Sequence, residues 1–129
     1  VALLGFAFKQ DTGDTRDSPA IPLCEKLLGE HANVRVHDPK ALENAKIDLQ
    51  EMQGNVRFVE DVYEAVDGVH AIALVTQWAE YRELDFERIY NKMVKPAFIF
   101  DGRNHLEHEK LFEIGFNVFP LGKPPLKHV

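Results

Sequence analysis

The chain predicts a three-layer, doubly wound α/β domain: a mostly parallel six-stranded sheet with helices on both faces. Three observations carry this. Short apolar runs alternate with helix-period segments along the whole chain. Two of the runs, VALLGFA and HAIALVT, are continuously apolar, the pattern of strands covered on both faces. A chain of 129 residues with 45% hydrophobic content can bury one core, and its single cysteine leaves no disulfide framework to do that work instead.

The elements follow in order. Residues 1–7 form the first strand, and the polar loop KQDTGDTRDS comes after it. Ile21, Cys24, Leu27 and Leu28 recur at helical spacing, with Pro22 in the first turn, so this helix starts near Pro19 or Ala20 and closes at Gly29. VRVHDP is a second strand, and Asp38-Pro39 opens a helix over 40–52. NVRFV is the third strand, followed by a short helix over 61–66 capped by Asp61. The fourth strand spans 70–76, a helix covers 84–93, and a fifth strand lies within 96–104. A helix over 106–114 stops at Gly115, and 116–122 is the sixth strand. The domain takes residues 1–122, and 123–129 is a Pro/Lys-rich tail. Right-handed crossovers give the strand order 3-2-1-4-5-6, a Rossmann-like sheet.

That order brings three segments to the crevice where the winding reverses: Phe8-Lys9, Thr76-Gln77-Trp78 and Asp101-Gly102-Arg103. Lys9 and Arg103 then face one cleft of a domain whose net charge is -6, with Arg16 further along the first loop. Clustered cations over a sheet's carboxyl edge suit a phosphate-bearing ligand, and the helix start near Pro19 adds amide donors. Each residue also has a plainer reading. Lys9 equally suits an ordinary strand end, Arg16 a solvated loop among Asp11, Asp14 and Asp17, and Arg103 a turn after Asp-Gly. Asp38 reads as a helix cap before a ribose contact, and Trp78 as packing before ligand stacking.

Other chemistry is poorly supported. Gly5 is followed by Phe-Ala-Phe-Lys, so the G-x-G-x-x-G fingerprint is missing and NAD is not expected in the usual manner. Cys24 lies on an apolar helix face without a cation and reads as inert. His105 and His108 make a poor metal pair, and no nucleophilic triad assembles. The acidic balance argues against nucleic acid and anionic membrane. No apolar run reaches the ~20 residues that span a bilayer. The lack of a basic-then-apolar leader points to the cytoplasm, and the mid-strand opening suggests a piece of a longer polypeptide.

Four motifs occur in a specific order: LGFAFKQDTGDTRDSPAI, VHDP, VTQWAEY and PAFIFDGRN. Together they resemble the C-terminal, UDP-sugar-binding domain of the UDP-glucose 6-dehydrogenases, within the UDP-glucose/GDP-mannose dehydrogenase family, over about residues 1–123. The resemblance implies a longer enzyme that oxidises UDP-glucose to UDP-glucuronate with NAD, which is bound mainly by a separate N-terminal domain. It implies a central region with the catalytic Cys, and a homo-oligomer. It places Phe8 and Lys9 at the UDP-sugar, Arg103 at the sugar nucleotide (usually of the neighbouring subunit), and Arg16 at the NAD. Cys24 does not match the catalytic Cys, so this stretch alone is expected to bind and not to oxidise. Lys9-Gln10 departs from the commoner Lys-Lys pair. A second reading makes the domain an assembly module whose apolar rim, Phe6, Phe8, Trp78, Tyr81 and Phe86, packs against partners.

Overall fold

The computed structural model describes residues 1–9, 11–52 and 54–129. Its strands are β1 (Ala2–Leu4), β2 (Asn33–His37), β3 (Asn55–Phe58), β4 (Ala71–Leu74), β5 (Phe98–Asp101) and β6 (Asn117–Pro120). Its α-helices are α1 (Ala20–Gly29), α2 (Leu42–Asp48), α3 (Val62–Val66), α4 (Phe86–Lys92) and α5 (His108–Ile114), with a 3₁₀ turn at Ala79–Glu83. The sheet order is β3-β2-β1-β4-β5-β6 and all five ladders are parallel. The expected strand order and layer architecture are therefore those found.

The differences are local. The first strand pairs only over Ala2–Leu4, because Gly5 turns the chain out of the ladder at φ +96°. The second helix starts at Leu42, since Pro39, Lys40 and Ala41 form the turn that Asp38 holds. The fourth helix starts at Phe86, not 84. The residues before it make the 3₁₀ turn, and Asp85 caps the helix by accepting from Arg88 N at 3.1 Å. Asp61 caps α3 as expected, accepting from Tyr63 N at 3.0 Å.

Crossovers of one hand run outward in opposite directions from the sheet centre, so α1 and α4 fall on opposite faces. The register separates the two faces. Ile99 and Val118 are paired and buried on the side where the Phe86 and Tyr90 rings of α4 meet Phe116 edge-on. Phe100 pairs with Phe119 on the other side, their rings stacked 4.9 Å apart, and Phe100 stays 45% exposed. The last residues return along the sheet edge. Leu126 makes an antiparallel bridge to Val118, and the His128 ring stacks on Phe112 at 4.1 Å.

Two buried groups give checks on this packing. Cys24 is fully buried in α1, and desolvation pushes its thiol up to about 11. Iodoacetamide at pH 8 should therefore label it only on the timescale of unfolding, with rapid labelling in urea; fast labelling of the folded chain would contradict the packing.

His37 is buried at the end of β2, its Nδ1 2.9 Å from the Tyr81 hydroxyl. Burial holds its pKa below the ordinary imidazole value, against the weaker pull of Asp38. The folded state thus favours neutral His37. As pH falls below about 6.5, the unfolded chain takes up that proton first, and stability drops. Urea midpoints should fall between pH 7.5 and pH 5.5, and the fall should shrink in His37→Gln.

Candidate functional site

The carboxyl ends of β1, β4 and β5 converge as the strand order requires. After Gly5, the amides of Phe6 and Ala7 both donate to Asp38 Oδ2, at 2.7 and 2.9 Å. Thr76 Oγ1 donates to the Ala7 carbonyl at 2.7 Å, tying the exit of β4 to that of β1. Asp38 Oδ1 accepts from Lys40 N and Ala41 N, both at 2.8 Å, and Trp78 Nε1 reaches Oδ2 at 3.1 Å. One buried carboxylate therefore joins the ends of β1, β2 and β4. Asp38 holds the turn ahead of α2 and does not cap that helix as its sequence context suggests, since the N-cap is Ala41 with no side-chain bond. Trp78 is a packed, hydrogen-bonded indole, as expected.

A second buried carboxylate organises the end of β5. Asp101 Oδ1 accepts from Arg103 N at 3.1 Å. Its Oδ2 faces His105 N, Leu106 N and His108 Nε2, each at 2.8 Å. His105 Nε2 lies 2.8 Å from the Trp78 carbonyl, linking this turn to the β4 loop. The two histidines are thus braces of the turn. Sequence reading credited Asp101 to a turn and missed these partners; the only signal was a buried-strand Asp followed by Gly and two nearby histidines.

Arg103 lies across the crevice. Its Nε donates to the Val75 carbonyl at 2.8 Å, and its Nη2 donates to the Phe8 carbonyl at 3.2 Å. Phe8 and Arg103, 95 positions apart along the chain, are brought into contact within one molecule. Lys9 follows Phe8 directly and is exposed, while Phe8 is 44% exposed. The first loop folds back, with Phe8 N donating to the Asp14 carbonyl at 2.7 Å.

Arg16 is exposed and engaged with its neighbour. Its Nε and Nη2 grip the Asp14 carboxylate, the latter at 2.7 Å. Those hydrogen bonds draw the Asp14 carboxyl down to about 2, with Lys9 adding a smaller pull. No bond ties Arg16 to Arg103 among the described residues. The start of α1 is partly used up as well: Ser18 Oγ accepts from Ala20 N at 3.2 Å and donates to the Phe6 carbonyl at 2.7 Å.

The apolar rim expected of an assembly module is not where the sequence placed it. Phe6 and Tyr81 are fully buried, Trp78 is 5% exposed and Phe86 is half-buried, so only Phe8 stands out. These side chains complete the domain's own core, because the 3₁₀ turn folds back over the end of β2. Among the described residues, no helix is long and apolar enough to cross a membrane, and no cluster of three or more His, Cys, Asp or Glu could hold a metal ion.

The class these features define is an open, doubly wound sheet whose switch-point crevice is rimmed by cations on loops and lacks a glycine fingerprint. The model of the UDP-glucose/GDP-mannose dehydrogenase family, UDP binding domain, matches residues 2–108. The chain belongs to that family, as its UDP-binding domain.

Among its relatives, UDP-glucose 6-dehydrogenase 5 of Oryza sativa subsp. japonica is 44% identical over 142 aligned positions, covering 96% of this chain and 30% of the rice protein. UDP-glucose 6-dehydrogenase 1 of Arabidopsis thaliana is 43% identical with the same coverage. The chain thus spans under a third of the length of these curated relatives. Solved structures agree. The NDP-N-acetyl-D-galactosaminuronic acid dehydrogenase of Methanosarcina mazei superposes with a TM-score of 0.78 at 27% identity, covering 94% of this chain and 24% of that one. A UDP-glucose dehydrogenase of Pyrobaculum islandicum gives 0.69 at 30% identity, covering 89% and 25%.

Proposed function

We propose that this chain is the UDP-sugar-binding part of an NAD-dependent UDP-glucose 6-dehydrogenase, which oxidises UDP-glucose to UDP-glucuronate. Phe8, Lys9 and Arg103 bind the sugar nucleotide. The observation that supports this best is the Arg103 guanidinium lying across the loops that leave β1 and β4, bonded to the Val75 carbonyl and to the carbonyl of Phe8, which directly precedes Lys9. Planar guanidinium and point-charge ammonium together suit a diphosphate. Arg103 contacts a ligand from its own chain or, across a homo-oligomer, from the neighbouring subunit.

NAD fits this chain poorly as a resident group. The turn after β1 has no glycine fingerprint, and its amides are taken by Asp38. NAD therefore belongs mainly to the N-terminal domain of the longer enzyme, with Arg16 reaching toward it from here. The catalytic Cys lies with the central domain, so this chain binds and does not oxidise. The enzyme works in the cytoplasm, and the domain's partners are the N-terminal and central domains of the same polypeptide.

Titration with UDP and UDP-glucose by ¹⁵N NMR tests the reading. Shifts should centre on Phe8, Lys9 and the Arg103 turn, with weak affinity because the other domains supply further contacts. Arg103→Ala should weaken binding by about tenfold or more, the worth of a charge-assisted pair. Absence of any shift at millimolar UDP would remove the site from this chain.

A further inference from the structure

We propose that Asp38 is an internal anion: its carboxylate fills the amide cradle at the end of β1 that dinucleotide-binding sheets hold open for a ligand's phosphates, and so closes this turn to a dinucleotide. In those sheets the turn after the first strand leaves its amides free for the pyrophosphate, and an acid at the end of the second strand faces a ribose hydroxyl. Here both positions are present and joined to each other.

Gly5, at φ +96°, turns the chain so that two successive amides, Phe6 N–H and Ala7 N–H, aim at the single oxygen Asp38 Oδ2. In a regular strand successive amides point to opposite sides. Converging on one anion is the geometry of a backbone nest. The indole N–H of Trp78 supplies a third donor to the same oxygen. The other oxygen, Oδ1, takes Lys40 N and Ala41 N. Five donors on two oxygens, in a residue only 3% exposed, leave the acid no direction in which to meet a ribose. A dinucleotide phosphate would have to displace a carboxylate that the chain itself supplies.

Amide exchange by NMR on the whole 129-residue chain tests this. Among the described residues Phe6 and Ala7 have no backbone acceptor, so slow exchange at both is owed to Asp38. In Asp38→Ala both amides should exchange about tenfold faster or more, and the melting temperature should fall by about 5 °C or more. Formate has the shape of the group removed. It should slow both amides again and raise the melting temperature, where chloride at equal ionic strength does neither. Formate acting no better than chloride on folded Asp38→Ala overturns the proposal.

Trp78→Phe covers the case in which Asp38→Ala does not fold. It removes one donor and keeps the carboxylate, so Phe6 and Ala7 should stay protected. Loop-like exchange of these amides in Trp78→Phe, or in the unaltered chain, overturns the proposal. With the neighbouring Phe8–Lys9 site held at saturating UDP, added NAD+ at millimolar concentration should leave the Phe6 and Ala7 resonances unmoved; their further displacement would also overturn it.

Discussion

Gly5→Ala is expected to cost about 3–5 kcal/mol of stability, a large part of what a domain of this size possesses. Two effects add. At φ +96° an L side chain is strained, a cost of roughly 1–3 kcal/mol. A Cβ there would also sit 2.5 Å from Thr76 Cβ and 2.6 Å from Thr76 N. Thr76 cannot simply rotate away, because its hydroxyl holds the Ala7 carbonyl and the clash includes its own backbone. Either β1 and β4 part at their carboxyl ends or the chain loses the turn that feeds Phe8 and Lys9 into the crevice. A urea titration measures the loss. Gly29→Ala, which places a Cβ in open space at the end of α1, serves as the control and should change stability by less than about 1 kcal/mol. A Gly5→Ala midpoint equal to that of the control would show that the turn is looser than described.

Asp101→Ala carries the second large effect, also about 3–5 kcal/mol. The residue is fully buried, and its removal leaves three loop amides and the His108 ring facing a void. Asp101→Asn should be milder, about 1–2 kcal/mol. Its carbonyl oxygen can take the three-donor position of Oδ2, which leaves the amide nitrogen opposed only to Arg103 N. That one mismatch falls at the turn aiming the guanidinium. UDP affinity should therefore drop more in Asp101→Asn than its stability loss suggests. Thermal melts set beside the NMR titration check the split. Equal affinity in the original and the Asn variant would separate Asp101 from ligand binding.

The strand order was legible because hydropathy runs report burial, and burial on both faces leaves few topologies. Their ends were not legible for the same reason. Phe6 and Ala7 are as buried as Leu3, yet lie outside the ladder, since their amides serve Asp38 and not a strand. Leu84 reads as the start of a helix over 84–93, but it follows a 3₁₀ turn over Ala79–Glu83 that packs Tyr81 against His37, and the helix begins only at Phe86. The proposed site was legible as charge at converging strand ends. Lys9, Arg103 and the Asp-Gly turn could be placed by topology alone. What could not be read was the bonding beneath them. The donors to Asp101 are mostly backbone amides of a loop that folds back, and backbone amides leave no trace in residue identity. Arg16 shows the limit in the other direction: in this structure a neighbouring carboxylate grips a cation that residue type alone would have left free for phosphate.

Every ladder in the sheet is parallel, so no two neighbouring strands can be closed by a hairpin, and β1 meets β4 only by setting residue 2 against residue 72. Contacts this remote in the polypeptide slow folding, because the entropy of closing long loops is lost before the contacts compensate for it. The cleft between these two strands exists only once segments far apart in the chain have paired, so nucleotide capture would report an assembled sheet, not the presence of any local segment.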